Sequence, residues 1–188
     1  YYTLRTFLDA YADMQVILVL PDEHMDAGYE IIDAYFGHDR IQVTIGGPTR
    51  FHSVQNGLQL VTEESIVFVH DAVRCLLSAA LVHRCYEKAL ESGSAIPAID
   101  SRDSVRILTP EGNESVERSS VKLVQTPQTF HSRILIPAYQ IDYKDRFTDE
   151  ATVAEAFGIK IQLVEGEENN FKITRPLDMI LAEKLLTD

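Results

Sequence analysis

Met14-Gln15-Val16-Ile17-Leu18-Val19-Leu20-Pro21 is a short apolar run closed by a proline. The unbroken apolar residues Val16 to Leu20, with no polar residue at alternate positions, are expected of a strand covered on both faces. Working outward from that run, helical and extended patterns take turns. Before it, Leu4, Phe7, Leu8 and Tyr11 fall at i, i+3, i+4 and i+7 on one helix face. After it, a helix with Met25, Ile32 and Tyr35 on its inner side leads to a strand at Ile41–Ile45. A Gly46-Gly47-Pro48 loop and a helix from Ser53 to Val61, facing inward through Val54 and Leu58, come next. Ile66 to Val69 then reads as a strand ending at His70-Asp71, Leu81 to Leu90 as a helix with Val82, Cys85 and Ala89 on one face, and Ala95 to Ile99 as a strand. Strands alternating with helices predict an α/β fold built on a mostly parallel, doubly wound, Rossmann-like sheet.

The rhythm breaks between Asp103 and Gln128. Ser104 to Leu108, the turn signal Thr109-Pro110-Glu111-Gly112-Asn113 and the interleaved stretch Ser115 to Val124 predict an extended β-arm over residues 103–128. Such an arm has little core of its own, so it is expected to pack on the parent sheet or on a second subunit. A helix near Ile134 to Tyr139 comes after the arm, then one from Thr148 to Phe157 whose acidic first turn, Asp149-Glu150, suits the helix dipole. The last strand is placed at Ile159 to Val164. Pro176 opens a final helix that can turn Met179, Leu181 and Leu185 inward. The whole of 1–188 is read as one domain.

The 188 residues are 45% apolar and 24% charged, which excludes a disordered chain, and no run approaches the roughly 18 apolar residues of a membrane span. Lys and Arg total 17 against 29 Asp and Glu, a formal charge of -12, which argues against nucleic acid as a partner. Any anionic ligand has to be met by local cations. Cys75 and Cys85 are too few and wrongly spaced for a zinc site or a disulfide framework, so a reducing, cytoplasmic compartment is expected. The chain opens at Tyr1-Tyr2-Thr3-Leu4, inside a helical pattern, with neither an initiator Met nor a signal sequence.

In open parallel sheets ligands bind beyond the carboxyl ends of the strands. That rule selects Gly46, Gly47, Arg50 and Ser53 after one strand, Asp71 and Arg74 after another, and Lys172 after the last. Two glycines let backbone approach a ligand closely, and Ser53 offers a hydroxyl, although Gly-Gly before a helix is also an ordinary tight turn. A carboxylate such as Asp71 at the end of a buried strand can hold a divalent cation, and it can equally cap a following helix. Lys172 in Asn169-Asn170-Phe171-Lys172-Ile173-Thr174 is either a ligand cation or a solvated surface lysine. Arg106 and Arg118 lie on the arm, where an exposed strand also tolerates arginine. The six histidines show no metal spacing, and no Gly-x-Ser-x-Gly turn is present, so zinc and acyl-transfer chemistries lose support.

Several segments, in order, resemble the 2-C-methyl-D-erythritol 4-phosphate cytidylyltransferases of the non-mevalonate isoprenoid pathway. Gly46-Gly47-Pro48-Thr49-Arg50-Phe51-His52-Ser53-Val54-Gln55-Asn56-Gly57-Leu58 is similar to their Gly-Gly-x-x-Arg-x-x-Ser-Val-x-x-Gly-Leu segment, and Val69-His70-Asp71-Ala72-Val73-Arg74 to their Val-His-Asp-Ala-Ala/Val-Arg-Pro. Asp103-Ser104-Val105-Arg106, Glu117-Arg118, Gln125-Thr126-Pro127-Gln128 and Thr148-Asp149-Glu150-Ala151 resemble the family's arm and the segments after it. Asn170-Phe171-Lys172-Ile173-Thr174-Arg175-Pro176-Leu177-Asp178 resembles their Asn-Ile-Lys-Ile-Thr-x-Pro-x-Asp ending. The departures are Pro48 where an acidic residue is common, Cys75 for proline and Ser104 for threonine.

The resemblance implies transfer of a cytidylyl group from CTP to a polyol phosphate, 2-C-methyl-D-erythritol 4-phosphate, releasing pyrophosphate, with Mg2+ as cofactor and a homodimer joined through the arm. Gly47 and Ser53 would read the cytosine, and Asp71 and Ala72 would lie at the ribose, metal and acceptor side. Arg74 and Arg106 would line the substrate site. Ser104, Arg118 and Lys172 would contact the methylerythritol phosphate, the first two from the other subunit, with Arg118 and Lys172 on its phosphate. Ser101 competes with Ser104, because Asp100-Ser101 repeats the Asp-Ser pair; the Val-Arg after Ser104 favours the latter. An acceptor phosphate is already ionised at neutral pH, so this chemistry needs positioning and cations and no general base. In this family a first strand and glycine-rich loop carry an Arg and a Lys for the triphosphate. No such segment comes after Tyr1, so one is expected upstream, on the order of 30 residues by the size of a βαβ unit. Ribitol 5-phosphate cytidylyltransferases share the Val-His-Asp-Ala-Val-Arg wording and form the nearest alternative. A catalytically inactive dimerising module is the third.

Overall fold

The computed structural model describes residues 1–187. Within them, nine strands and seven α-helices succeed one another as α1 (Tyr2–Ala10), β1 (Val16–Leu20), α2 (Met25–Tyr35), β2 (Ile41–Ile45), α3 (Arg50–Leu58), β3 (Ile66–Val69), α4 (Ala79–Ser92) and β4 (Ser94–Asp100), then β5 (Val105–Thr109), β6 (Gly112–Val116), β7 (Lys122–Val124), β8 (Gln128–His131), α5 (Ser132–Ala138), α6 (Glu150–Ala156), β9 (Leu163–Glu165) and α7 (Pro176–Thr187). The order α-β-α-β expected from the apolar runs is present through β4.

β1 and β2 pair in parallel, Val16 opposite Ile41 through Leu20 opposite Ile45. A second group has the order β3-β8-β4-β7, with β9 parallel to β4. β3 and β4 are both antiparallel to β8 and therefore run the same way as each other. The two antiparallel members, β7 and β8, belong to the chain returning from the arm. β1 and β3 are not hydrogen-bonded to each other among the described residues. They are held in one layer by helices on either side. On one face Leu4 and Leu8 of α1 pack on Val16 and Leu18, while Phe7 sets its ring 5.7 Å from Phe68 of β3. On the other, Gly57 of α3 lies against Val19, and Phe51 and Leu58 join the cluster containing Val67 and Val69. Alternate residues of β1 thus feed opposite faces, as the strand pleat requires.

The largest core, around Phe51, Ile96, Phe130, Leu135, Tyr139 and Phe147, fills the α3–α5–α6 face. Leu81, Cys85, Ala89 and Ala95 form the packing between α4 and the opposite face. Five details differ from the sequence expectation, the first being that β9 is confined to Leu163–Glu165 where the sequence predicts a strand at Ile159 to Val164. α3 begins at Arg50 and not Ser53, because Thr49 caps it by accepting from the His52 N–H. In α2 Ile32 is buried, but Tyr35 points outward. In α7 only Ala182 is buried, and Met179, Leu181 and Leu185 are exposed. The arm is a hairpin of β5 on β6, Val105 opposite Val116, and from Lys122 the chain pairs with β4 in the main sheet.

Candidate active site

Asp71 stands two residues past the end of β3, with a side chain only 11% exposed. Three cations surround its carboxylate. Arg50 Nε donates to Oδ1 at 3.1 Å, Lys172 Nζ lies 2.8 Å from Oδ2, and Arg74 Nε is 3.7 Å from Oδ2. Burial pushes this carboxyl up, but the Lys172 hydrogen bond and the Arg50 charge outweigh burial and hold it below its ordinary range. The turn itself is fixed from behind. The Asp71 N–H donates to Thr126 Oγ1 at 3.1 Å, and the same hydroxyl lies 3.1 Å from His70 Nδ1. His70 Nε2 is 3.0 Å from the Arg74 carbonyl, which can only accept, so Nε2 carries the proton and Nδ1 receives that of Thr126. Burial pushes His70 down to about 4, leaving a neutral imidazole at neutral pH.

Lys172 reaches Asp71 from the loop after β9. That loop is stapled at several points: Ile173 N–H to the Val73 carbonyl at 2.8 Å, Asn170 Nδ2 to the Thr126 carbonyl at 2.8 Å, and Gln125 Nε2 to the Glu167 carbonyl at 2.8 Å. Arg74 is buried and serves the same loop, donating from Nη1 to the Asn170 carbonyl at 2.5 Å and from Nη2 to that of Val124 at 3.4 Å. A lysine held this way is no freely solvated side chain, yet it remains 49% exposed and open to a ligand.

Gly46 and Gly47 come directly after β2. Ser53 Oγ accepts from the Gly47 N–H at 3.0 Å and donates to the Thr49 carbonyl at 3.1 Å, closing the loop over the start of α3. A side chain at Gly47 would collide with His52, its Cβ falling 3.0 Å from the His52 carbonyl carbon. Beyond the ends of β1 and β2 this loop borders a cleft of about 280 Å³ that also touches Leu20, Pro21 and Ile45. Arg50, in the first turn of α3, links the loop to Asp71. Its Nη1 and Nη2 donate to Glu150 Oε1 and Oε2 at 2.5 and 2.9 Å, and the Tyr139 hydroxyl donates to Oε1 at 3.1 Å. Burial works against the Arg50 charge, but Glu150 and then Asp71 raise its pKa and keep it ionised. The sequence placed Arg50 at a strand end; the side-chain role of Glu150, 100 positions away, carried no local signal beyond helix-dipole preference.

The structure therefore brings Asp71, Arg74 and Lys172 together, with Gly47 and Ser53 joined to them through Arg50. Ala72 is exposed on the Asp71 turn. Ser104, Arg106 and Arg118 lie elsewhere, all exposed on or beside the arm. Arg106 bonds Asn113 across the hairpin, and Arg118 Nη1 donates to the Arg102 carbonyl at 3.4 Å. Ser101 is buried and its hydroxyl donates to the Asp103 carbonyl at 3.0 Å. Among the described residues no group of three or more His, Cys, Asp or Glu side chains converges as a metal cage. A single carboxylate serves only a cation that draws its remaining ligands from water or a bound substrate, and both Asp71 oxygens are engaged by Arg50 and Lys172.

A nearly buried carboxylate ringed by cations at the carboxyl ends of an α/β sheet, beside a loop too tight for a side chain, is an arrangement suited to phosphate-bearing ligands, as in nucleotidyltransferases of the α/β class. The family model described as IspD, 2-C-methyl-D-erythritol 4-phosphate cytidylyltransferase, matches residues 1–188. The 2-C-methyl-D-erythritol 4-phosphate cytidylyltransferase of Phocaeicola vulgatus is 43% identical over 184 residues, covering 98% of this chain and 84% of that protein. The crystal structure of 4-diphosphocytidyl-2C-methyl-D-erythritolsynthase from Anaerococcus prevotii superposes with a TM-score of 0.88 at 28% identity, covering 100% of this chain and 85% of that one. The Thermus thermophilus 2-C-methyl-D-erythritol 4-phosphate cytidylyltransferase gives 0.77 at 32% identity over 99% and 89%. This chain belongs to the 2-C-methyl-D-erythritol 4-phosphate cytidylyltransferase family.

Proposed function

We propose that this chain transfers a cytidylyl group from CTP to 2-C-methyl-D-erythritol 4-phosphate, with release of pyrophosphate, in isoprenoid precursor biosynthesis. Family membership supports the reaction, and one structural observation carries the assignment of residues: Lys172, a half-exposed cation, sits on the buried Asp71 at the strand ends. An oxygen of the acceptor phosphate attacks the α-phosphorus of CTP, the bond to the β-phosphate oxygen breaks, and pyrophosphate leaves with that electron pair. No proton has to be removed from the nucleophile. The protein's work is to align the attack and offset the negative charge that gathers.

Lys172 and Arg118 bind the acceptor phosphate, and Ser104 bonds the acceptor polyol. Ser101 is engaged inside its own loop, which supports Ser104 as the serine offered to a ligand. Gly47 and Ser53 present the cytosine loop, with Ala72 at the ribose and Arg106 on the arm face. Arg74 contributes from within, by holding the Lys172 loop. Asp71 would hold Mg2+, which when bound neutralises phosphate charge. Ser104 and Arg118 are supplied to the site of a second copy in a homodimer, a reading supported by the exposed Ile107 and Leu108 on the hairpin. Both cysteines are free, which supports placement in a reducing cytoplasm. No described helix is long and apolar enough to cross a membrane.

Pyrophosphate release is measured with CTP and each acceptor in turn. Turnover with methylerythritol phosphate and not with ribitol 5-phosphate is expected; the reverse preference overturns the acceptor. Lys172→Ala and Arg118→Ala each reduce turnover more than tenfold, and either variant within twofold of the parent overturns its assignment.

A further inference from the structure

Arg50 and Glu150 form an ion pair that has no assigned part in the transfer reaction; the glutamate is fully buried and the arginine side chain is 34% exposed. Glu150 is fully buried at the start of α6, and both of its oxygens are taken by the two terminal nitrogens of Arg50. Tyr139, also buried, donates to Oε1 from the far side, and its ring stacks on Phe51, the residue after Arg50, at 4.8 Å. The helix that carries Glu150 is itself fixed. Asp149 caps it by accepting from the Thr152 N–H at 2.9 Å, and Gln128 of β8 accepts from the Ala151 N–H at 2.8 Å.

A guanidinium whose two terminal nitrogens are bound by one carboxylate has its plane set, and its Nε–H direction is set with it. Here that remaining donor points at Asp71 Oδ1. Burying an ion pair is a weak source of stability, since apolar residues of similar volume commonly hold a fold as well or better. The pair's geometry has a different use. Arg50 lies in the first turn of α3, whose capping loop contains Gly47 and whose Ser53 closes it. We infer that Glu150 is a positioning residue: by gripping Arg50 it aims the guanidinium at Asp71 and sets the glycine loop after β2 in register with the carboxylate after β3. The inference rests on the role proposed for Asp71.

The test compares three variants for pyrophosphate release and thermal midpoint. Glu150→Gln keeps the shape and lowers kcat at least tenfold, with KM for CTP within threefold of the parent. The double variant Arg50→Met with Glu150→Leu replaces the pair by apolar side chains. It keeps or raises the thermal midpoint and still loses at least tenfold in kcat. Asp71→Asn separates the two readings. If Asp71→Asn loses turnover while the folded double variant stays within twofold of the parent, the positioning role is overturned and the role of Asp71 stands. If Asp71→Asn is itself within twofold, both fall. A loss in Glu150→Gln that only tracks the folded fraction also overturns the inference.

Discussion

The surroundings of Asp71 and the hairpin of β5 and β6 are built on opposite plans. Around Asp71 almost every polar group has a partner from a distant part of the chain: Arg50, Thr126, Lys172 and, through Arg50, Glu150. The hairpin is held by one ladder, Val105 opposite Val116 through Thr109 opposite Gly112, and its apolar side chains Ile107 and Leu108 are exposed. The first region is organised before any ligand arrives, and its residues have few alternatives. The second presents side chains outward into solvent. A cation at the centre is therefore held in fixed geometry, and one on the hairpin is not.

The largest expected effect breaks the centre. Lys172→Ala leaves the buried carboxylate with Arg50 and Arg74 and lowers kcat on the order of a hundredfold, because one preorganised charge is lost at the developing transition state. Circular dichroism should show an unchanged fold, as the side chain is half exposed. Next, replacing residues 103–119 by a short turn tests the other side of the contrast. Light scattering should give a monomer, and turnover should fall at least tenfold, while the thermal midpoint moves by only a few degrees because the hairpin supplies none of the buried core. A midpoint collapse would mean that the hairpin is part of the fold and not an appendage.

A third test uses pH. His70 faces Asp71, Arg74 and Arg50, and its folded pKa is about 4 against an ordinary 6.5. The unfolded chain takes up a proton on this ring near 6.5, and the folded chain refuses it until about 4, so stability is complete above that window and falls as pH drops through it. Asp71, with a depressed pKa, adds a loss of the same sign at lower pH. The His70 share is on the order of 3 kcal/mol. Chemical denaturation between pH 7 and 4.5 should show a shallower slope for His70→Asn; an identical slope removes His70 as the cause. The smallest effect is at Ser78, whose hydroxyl accepts from the Leu81 N–H at 3.0 Å as the cap of α4 and donates to Glu167 at 2.6 Å. Ser78→Ala should lower stability by about 1 kcal/mol with kcat unchanged.

These regions also differ in how far they could be read from residues alone. Apolar runs announce β1 and β3 because a strand covered on both faces has no polar positions to spare, whereas β2 alternates Gln42 and Thr44 with its apolar residues; Asp71 lies just beyond the β3 run, as Lys172 lies beyond the last one. Sequence reading failed where a partner is remote. Glu150 looks like an acid in a helix first turn, and only the fold brings it to Arg50. β7 is three residues long and exposed, so its return to β4 left no apolar signature, and the stretch merged with the arm. α7 carries apolar residues on every side, so their spacing could not tell which one faces inward; Ala182 does.

The chain leaves β4 at Asp100 and re-enters the sheet at Lys122, directly opposite. Everything between is an excursion hung from two neighbouring rungs. Insertions, deletions or drift within it do not change the register on either side, whereas a single added residue in β4 or β7 would turn every side chain beyond it to the other face. One polypeptide thus combines a frame whose register tolerates no added residue with an excursion whose length is free of that constraint.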